Sequence, residues 1–181
     1  MAFELVSMTP EELLEFFQET VESLLYMSET DAELEVFILG VAEVGEAFSP
    51  EDLTRLFYSG DDQPKAQSIS WAEANRLESN GTKDFFGNRC NVITTAPDNT
   101  YTIHEEYHRE NVPMWRDLRD LYFDNLVQNK YFRVSLAEPD TARHDLYLVG
   151  RHIEVMEDFD TNEMQTRLLD WFVIKTYVIE T

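Results

Sequence analysis

The segment DWFVIKTYVIET, residues 170–181, decides how the rest of the chain must be arranged. Side chains alternate between the two faces of a strand, so Trp171, Val173 and Lys175 share one side while Phe172, Ile174 and Thr176 share the other. Before Lys175 both sides are apolar, which predicts a central strand, from about Leu169 to Ile179, covered on both faces. The elements ahead of it do not alternate as β-α-β units. The sheet is therefore expected to be mainly antiparallel, with helices packed against it, in an α+β domain.

Working back from that strand, Tyr131–Leu136 and Leu146–Val149 read as two more strands, separated by Pro139-Asp140-Thr141 at hairpin-like spacing. Pro113 opens a helix whose buried face is marked by Trp115, Leu118, Leu121, Tyr122 and Leu126, running to about Asn129. Between residues 67 and 102 the signals mix. Strands are expected at Ser68–Trp71 and Asn91–Thr95, and turns at Ser79-Asn80-Gly81 and Pro97-Asp98-Asn99. Nearer the start, Ser49-Pro50-Glu51-Asp52 caps a short helix through Leu53, Leu56 and Phe57. Thr9-Pro10-Glu11-Glu12 has the form of a capping box, followed by Leu13, Leu14, Phe17, Val21, Leu24 and Leu25 at helical spacing. A polar loop, Ser28-Glu29-Thr30-Asp31, joins that helix to a strand over Leu34–Leu39.

With 181 residues and 43% hydrophobic side chains, residues 1–181 are expected to form a single domain with a sizeable core. No repeat or low-complexity tract divides it. The formal charge is 14 − 36 = −22, and it is concentrated early, since residues 1–62 hold sixteen acidic residues against one basic residue, Arg55. Nucleic acid is disfavoured as a ligand, because phosphate binding draws on Lys and Arg that release counterions. A basic partner suits this surface better, although acidity also serves solubility. Cys90 is alone, which rules out an internal disulfide and fits a reducing, cytoplasmic setting. The opening MAFELVSMTPEEL lacks the basic region of a signal peptide, and no apolar run approaches membrane-spanning length.

One motif could carry catalysis. His104-Glu105-Glu106-Tyr107-His108 matches H-E-x-x-H, in which two imidazoles four apart on a helix bind zinc and the glutamate, Glu105, is a general base. Its context is poor: Pro113 lies five residues beyond, YTI before His104 reads as strand, and a third ligand would have to come from His144, His152 or Glu154. The alternative is a solvated polar turn without metal. No nucleophile elbow, Walker loop or dinucleotide fingerprint is present, and Cys90 lies in no histidine-bearing nucleophile motif.

Four collinear stretches resemble the nuclease A inhibitor family. LLYMSETDAELEVFILG, residues 24–40, is similar to its signature of helix end, Ser-Glu-Ser/Thr loop and strand. YFDNLVQNKYFRVSL (122–136) and DLYLVG (145–150) resemble its helix exit and the strands that follow, and KTYVIET (175–181) resembles its terminal segment ending in Glu-Thr. The resemblance implies an α-β-α sandwich related to the plant pathogenesis-related protein fold, and an inhibitor rather than an enzyme. It also implies DNA mimicry, with an acidic surface standing in for the phosphates in the cleft of a metal-dependent, non-specific nuclease. By the same resemblance Thr181 would reach the partner's active-site Mg²⁺, with Glu29 as the acidic contact beside it and Ser28, Asp31 and Glu180 around them. No cofactor of its own is implied, and the partner would be a basic or cation-bearing nuclease, not nucleic acid or membrane. Magnesium's preference for oxygen ligands is met by a terminal threonine. The chain departs from the family by apparent insertions near 79–107 and 151–167. The family's aromatic and acidic contact loop has its nearest match in TAPDNTY (95–101), which offers Asp98 and Tyr101. Two other readings stay open: a small zinc-dependent hydrolase using HEEYH, and an acidic interaction module without the nuclease target.

Overall fold

In the computed structural model, residues 3–22, 24–27, 31–58, 65–69, 92–95, 101–104, 112–135 and 142–180 are described. In chain order the elements are β1 (Phe3–Leu5), α1 (Pro10–Glu22), β2 (Leu25–Met27), β3 (Asp31–Glu33), β4 (Glu35–Leu39), α2 (Val41–Val44) and α3 (Pro50–Phe57). There follow β5 (Lys65–Ile69), β6 (Val92–Thr95), β7 (Tyr101–His104), α4 (Val112–Asn125), β8 (Leu126–Ser135), β9 (Ala142–Asp158) and β10 (Glu163–Glu180).

The last strand is central, as its two apolar faces require. β10 lies between β4 and β9 in an antiparallel sheet of order β4-β10-β9-β8-β5. β9 and β10 form one long hairpin whose register runs from Glu163 opposite Asp158 to Glu180 opposite Ala142. β8 lies along the other edge of β9 from His144 to His152, and β1 continues that edge at Met156–Asp158. Helices and an antiparallel sheet together make this an α+β fold.

Alternation along the strands divides the core in two. On one face Phe172, Ile174, Leu146, Leu148 and Tyr131 meet Leu13, Phe17 and Val21 of α1 and Leu118 and Tyr122 of α4. These α1 residues are four apart and therefore lie along one stripe. On the other face Trp171, Val173, Tyr147, Val149, Phe132 and Val134 meet Phe48 and Leu53, where α3 packs. Both helices expected from capping signals begin where the caps place them. The Thr9 hydroxyl accepts from Glu12 N–H at 3.2 Å, and Ser49 and Asp52 form a reciprocal box with Pro50 at the first helical position.

Several boundaries differ from expectation. The helix expected to reach Asn129 stops at Asn125, and β8 starts at the next residue with no loop between them. A bulge follows at Gln128 and Asn129, where Gln128 has φ 55° and the register against β9 shifts between Val127 and Lys130. Gly150 lies across from that bulge. A Cβ there would come within 2.6 Å of the Leu126 Cβ, so only glycine lets β8 approach so closely. The strand expected over Leu34–Leu39 begins one residue later, as β4, and a short strand that was not expected, β3, precedes it. β9 and β10 run well beyond the expected Leu146–Val149 and Leu169–Ile179, so that the segment 151–167, apparently inserted relative to the family, is an extension of their hairpin with a turn over Phe159–Asn162. Its alternating half-polar pattern hid two strand ends that are covered incompletely. β1 and α2, each too short for a periodic signal, were not expected at all.

Candidate functional site

The site implied by the resemblance joins the end of the last strand to the Ser-Glu-Thr segment. β2 and β3 pair antiparallel, Leu25 with Glu33 through Met27 with Asp31, so residues 28–30 connect the arms of a small hairpin. That hairpin lies against β10, and the Thr176 hydroxyl donates to the Glu33 carbonyl at 3.1 Å. From Thr176 onward β10 continues to Glu180, held by β9 along its other edge. The fold thus brings the β2–β3 arms and the far part of β10 to one end of the sheet. Asp31 falls at the start of β3 and Glu180 at the end of β10. Ser28, Glu29 and Thr181 themselves lie outside the described residues, as does Asp98, while Tyr101 begins β7 in a separate pair with β6.

Beside this end of β10 is a polar and aromatic network that the sequence reading missed. Arg143, Asp145 and Tyr147 alternate on β9 and so share a face, and the register puts Tyr177 opposite Asp145 and Lys175 opposite Tyr147. Tyr58, which follows α3, donates to the buried Asp145 carboxylate and is 2.8 Å from the Tyr147 hydroxyl. The Arg143 Nε donates to the other Asp145 oxygen at 3.1 Å, and its guanidinium sits 4.2 Å from the centre of the Tyr177 ring. The Lys175 ammonium lies among the rings of Phe57, Tyr58 and Tyr147, within 6.0 Å of each centre. Burial, reinforced by hydrogen bonding to Asp145, pushes the Tyr58 hydroxyl far above the ordinary tyrosine value. Burial does the same for Tyr147. Both phenols stay protonated and neutral, which makes them donors rather than bases.

With its carboxylate satisfied by Tyr58 and Arg143, Asp145 is a buried charge compensated from two sides. The network ties α3 to the strand pair just where β10 leaves the helix-covered region. Its chemistry is that of a clasp: it stiffens the strand and offers no activated nucleophile. The available signal was the alternation Arg143, Asp145, Tyr147 in a strand whose intervening residues, His144 and Leu146, lie on the other side. Charge inside a central strand must find partners, though sequence does not say that Tyr58 supplies one.

The metal-site reading loses its structural premise at its first residue. His104 closes β7, paired with Val92 of β6, so it is not on a helix that would stack it over a histidine four residues later. Glu105 and His108 lie outside the described residues. Of the suggested third ligands, His152 is buried with its ring centre 5.7 Å from that of Phe172, Glu154 pairs with Arg167, and His144 belongs to β9. Among the described residues no group of three His, Cys, Asp or Glu side chains is placed to hold a metal. Among them, too, no helix is long and apolar enough to cross a membrane.

No protein-family model matches the chain, and no curated protein matches it by sequence.

Proposed function

We propose that the protein is a cytoplasmic inhibitor of a metal-dependent, non-specific nuclease, entering the enzyme's cleft with the end of β10 and the β2–β3 hairpin. The observation carrying this reading is the Thr176 to Glu33 hydrogen bond, which anchors the Ser-Glu-Thr hairpin to the same strand that leads to Thr181. A plug must hold its shape while desolvated in a partner's cleft, and a strand paired with β9 through Glu180 meets that need. The charge of −22 would draw the protein to a cleft built for polyanions, raising the association rate in a salt-dependent way. Helices on both sides of an antiparallel sheet suit the α-β-α sandwich of the nuclease A inhibitor family. In this reading Thr181 caps the partner's Mg²⁺, Glu29 sits beside it with Ser28, Asp31 and Glu180, and Asp98 and Tyr101 form a secondary contact. The protein performs no catalysis and needs no cofactor of its own.

The test is inhibition of a purified Mg²⁺-dependent, sugar-non-specific nuclease by three chains: the wild type, one with Glu29→Ala, and one extended by three alanines past Thr181. Extension is expected to weaken inhibition at least tenfold, about 1.4 kcal/mol, and Glu29→Ala to weaken it less. Unchanged inhibition by the extended chain overturns the metal-capping mechanism. Absence of inhibition by the wild type at low salt overturns the reading for that class of enzyme.

A further inference from the structure

Past Arg151 the β9–β10 hairpin leaves the part of the sheet that helices cover. Register places Leu168 opposite Ile153, Thr166 opposite Val155 and Met164 opposite Glu157, so Met164 and Leu168 share one face of the ribbon. That face is open: Met164 is 61% exposed, Leu168 36%, and Phe159 in the turn 56%.

The two edges of this ribbon are not alike. β9 is flanked by β1, which pairs Phe3, Glu4 and Leu5 with Asp158, Glu157 and Met156. Among the described residues β10 has a paired strand on its outer edge only at Trp171–Lys175, where β4 lies. From Glu163 to Leu168 that edge has no strand beside it among the described residues. Among the described residues no strand satisfies the outward backbone groups along it, next to exposed apolar side chains, and at its start the Glu163 N–H donates to the Thr161 hydroxyl at 3.4 Å. Edges are usually blunted by proline, lysine or an early bulge. Here no proline or lysine occurs between Glu163 and Asp170, and the irregularity comes only between Leu168 and Trp171.

Charge decides what could pair there. Arg167, the one cation on the edge, is engaged by Glu154 at 3.2 Å. Glu157, Asp160, Glu163 and Asp170 have no basic partner among the described residues. A second copy would bring the same carboxylates and a further −22 to the contact, whereas a basic strand would neutralise them.

We propose that the outer edge of β10 from Glu163 to Leu168 receives an extended segment of a partner protein, alternately apolar and basic, as an added strand. The segment's backbone completes the open edge, its apolar side chains cover Met164 and Leu168, and its lysine or arginine side chains meet the surrounding carboxylates. This surface lies at the opposite end of β10 from Glu180, roughly 40 to 55 Å away at about 3.3 Å per residue. It does not depend on the inhibitor reading.

The probe is a fluorescent nine-residue peptide alternating lysine and valine, titrated into the full chain, with a twin of the same sequence N-methylated at alternate residues. Binding of the unmodified peptide is expected to slow amide exchange over residues 163–168. The twin, and the double variant Met164→Glu with Leu168→Glu, are each expected to bind at least about tenfold more weakly. Equal affinity for the twin would reduce the interaction to bulk charge and overturn the proposal. So would absence of binding at low salt, or sedimentation showing that this edge pairs with a second copy. Circular dichroism of the double variant confirms that the hairpin is intact, since both side chains are exposed.

Discussion

The two faces of the sheet are built by different physics. Under α1 and α4 the contact is almost wholly apolar, with Phe17 against Phe172 at 5.7 Å between ring centres and leucines filling the remaining space. Under α2 and α3 the helices are short, and the side chains beneath them hold on by directed bonds. The Trp171 indole donates to the Gly45 carbonyl at 2.9 Å, Lys130 donates to Phe48 at 2.9 Å, and Arg151 reaches both Glu46 and the Leu169 carbonyl. A helix of thirteen residues buries enough surface to stay by packing alone. Helices of four and eight residues do not, and they are fastened at their carbonyls and caps instead.

That contrast can be broken at neighbouring positions of one strand. Phe172→Ala should be the most damaging change, costing about 3–5 kcal/mol because a large ring is removed from a close-packed apolar layer. Urea denaturation should show it as a loss of midpoint with α1 and α4 loosened together. Trp171→Phe on the other face should cost less, about 1–3 kcal/mol, through the lost indole bond and some volume. Its distinguishing mark is faster amide exchange in α2 and α3 than in α1. If the two substitutions loosen the same helices, the faces are not separately fastened.

A smaller and pH-dependent effect sharpens the same comparison. His152 is the imidazole buried beside Phe172 on the apolar face, where neither ring nitrogen makes a hydrogen bond of good geometry. Burial holds it below the ordinary histidine value, against the opposing pull of the Met8 backbone and of Glu154, Asp170 and Glu11. The folded state therefore resists protonation while the unfolded chain accepts it. Stability should be unaffected by this group above the ordinary histidine value and should fall as pH drops below it, by at most about 1.4 kcal/mol per pH unit. His152→Phe should flatten that slope in denaturation curves between pH 7 and 5.

The central strand, both caps and the antiparallel character were legible because each rests on a local rule: two-sided apolarity, a hydroxyl three residues before its amide, a proline at the first turn. Trp171 and Phe172 take opposite faces as alternation requires. What escaped depends on partners distant in sequence. β1 is three residues long and is defined by β9 more than 150 positions later. The end of α4 was set by Tyr122, whose hydroxyl donates to the Val149 carbonyl at 2.6 Å, and by the demand of β9 for pairing from Leu126 onward. The outer parts of β9 and β10 were not read as strand because their exposed positions lack the apolar run that marked the inner half. At the candidate site, Thr176 was visible as a strand residue, but Glu33 fell between the expected loop and the expected strand, and their bond was not legible.

The order in which the sheet's pieces occur along the chain has a consequence for biosynthesis. β9 and β10 supply the surfaces on which α1, α3 and α4 come to rest, yet they are translated after all three. Until the hairpin emerges, Leu13, Phe17 and Leu53 lack the two central strands of the sheet that covers them, and the nascent chain must remain dispersed without a complete core. The carboxylates crowded into residues 1–62 supply mutual repulsion throughout that interval, so the early acidity guards the unfinished molecule against clumping.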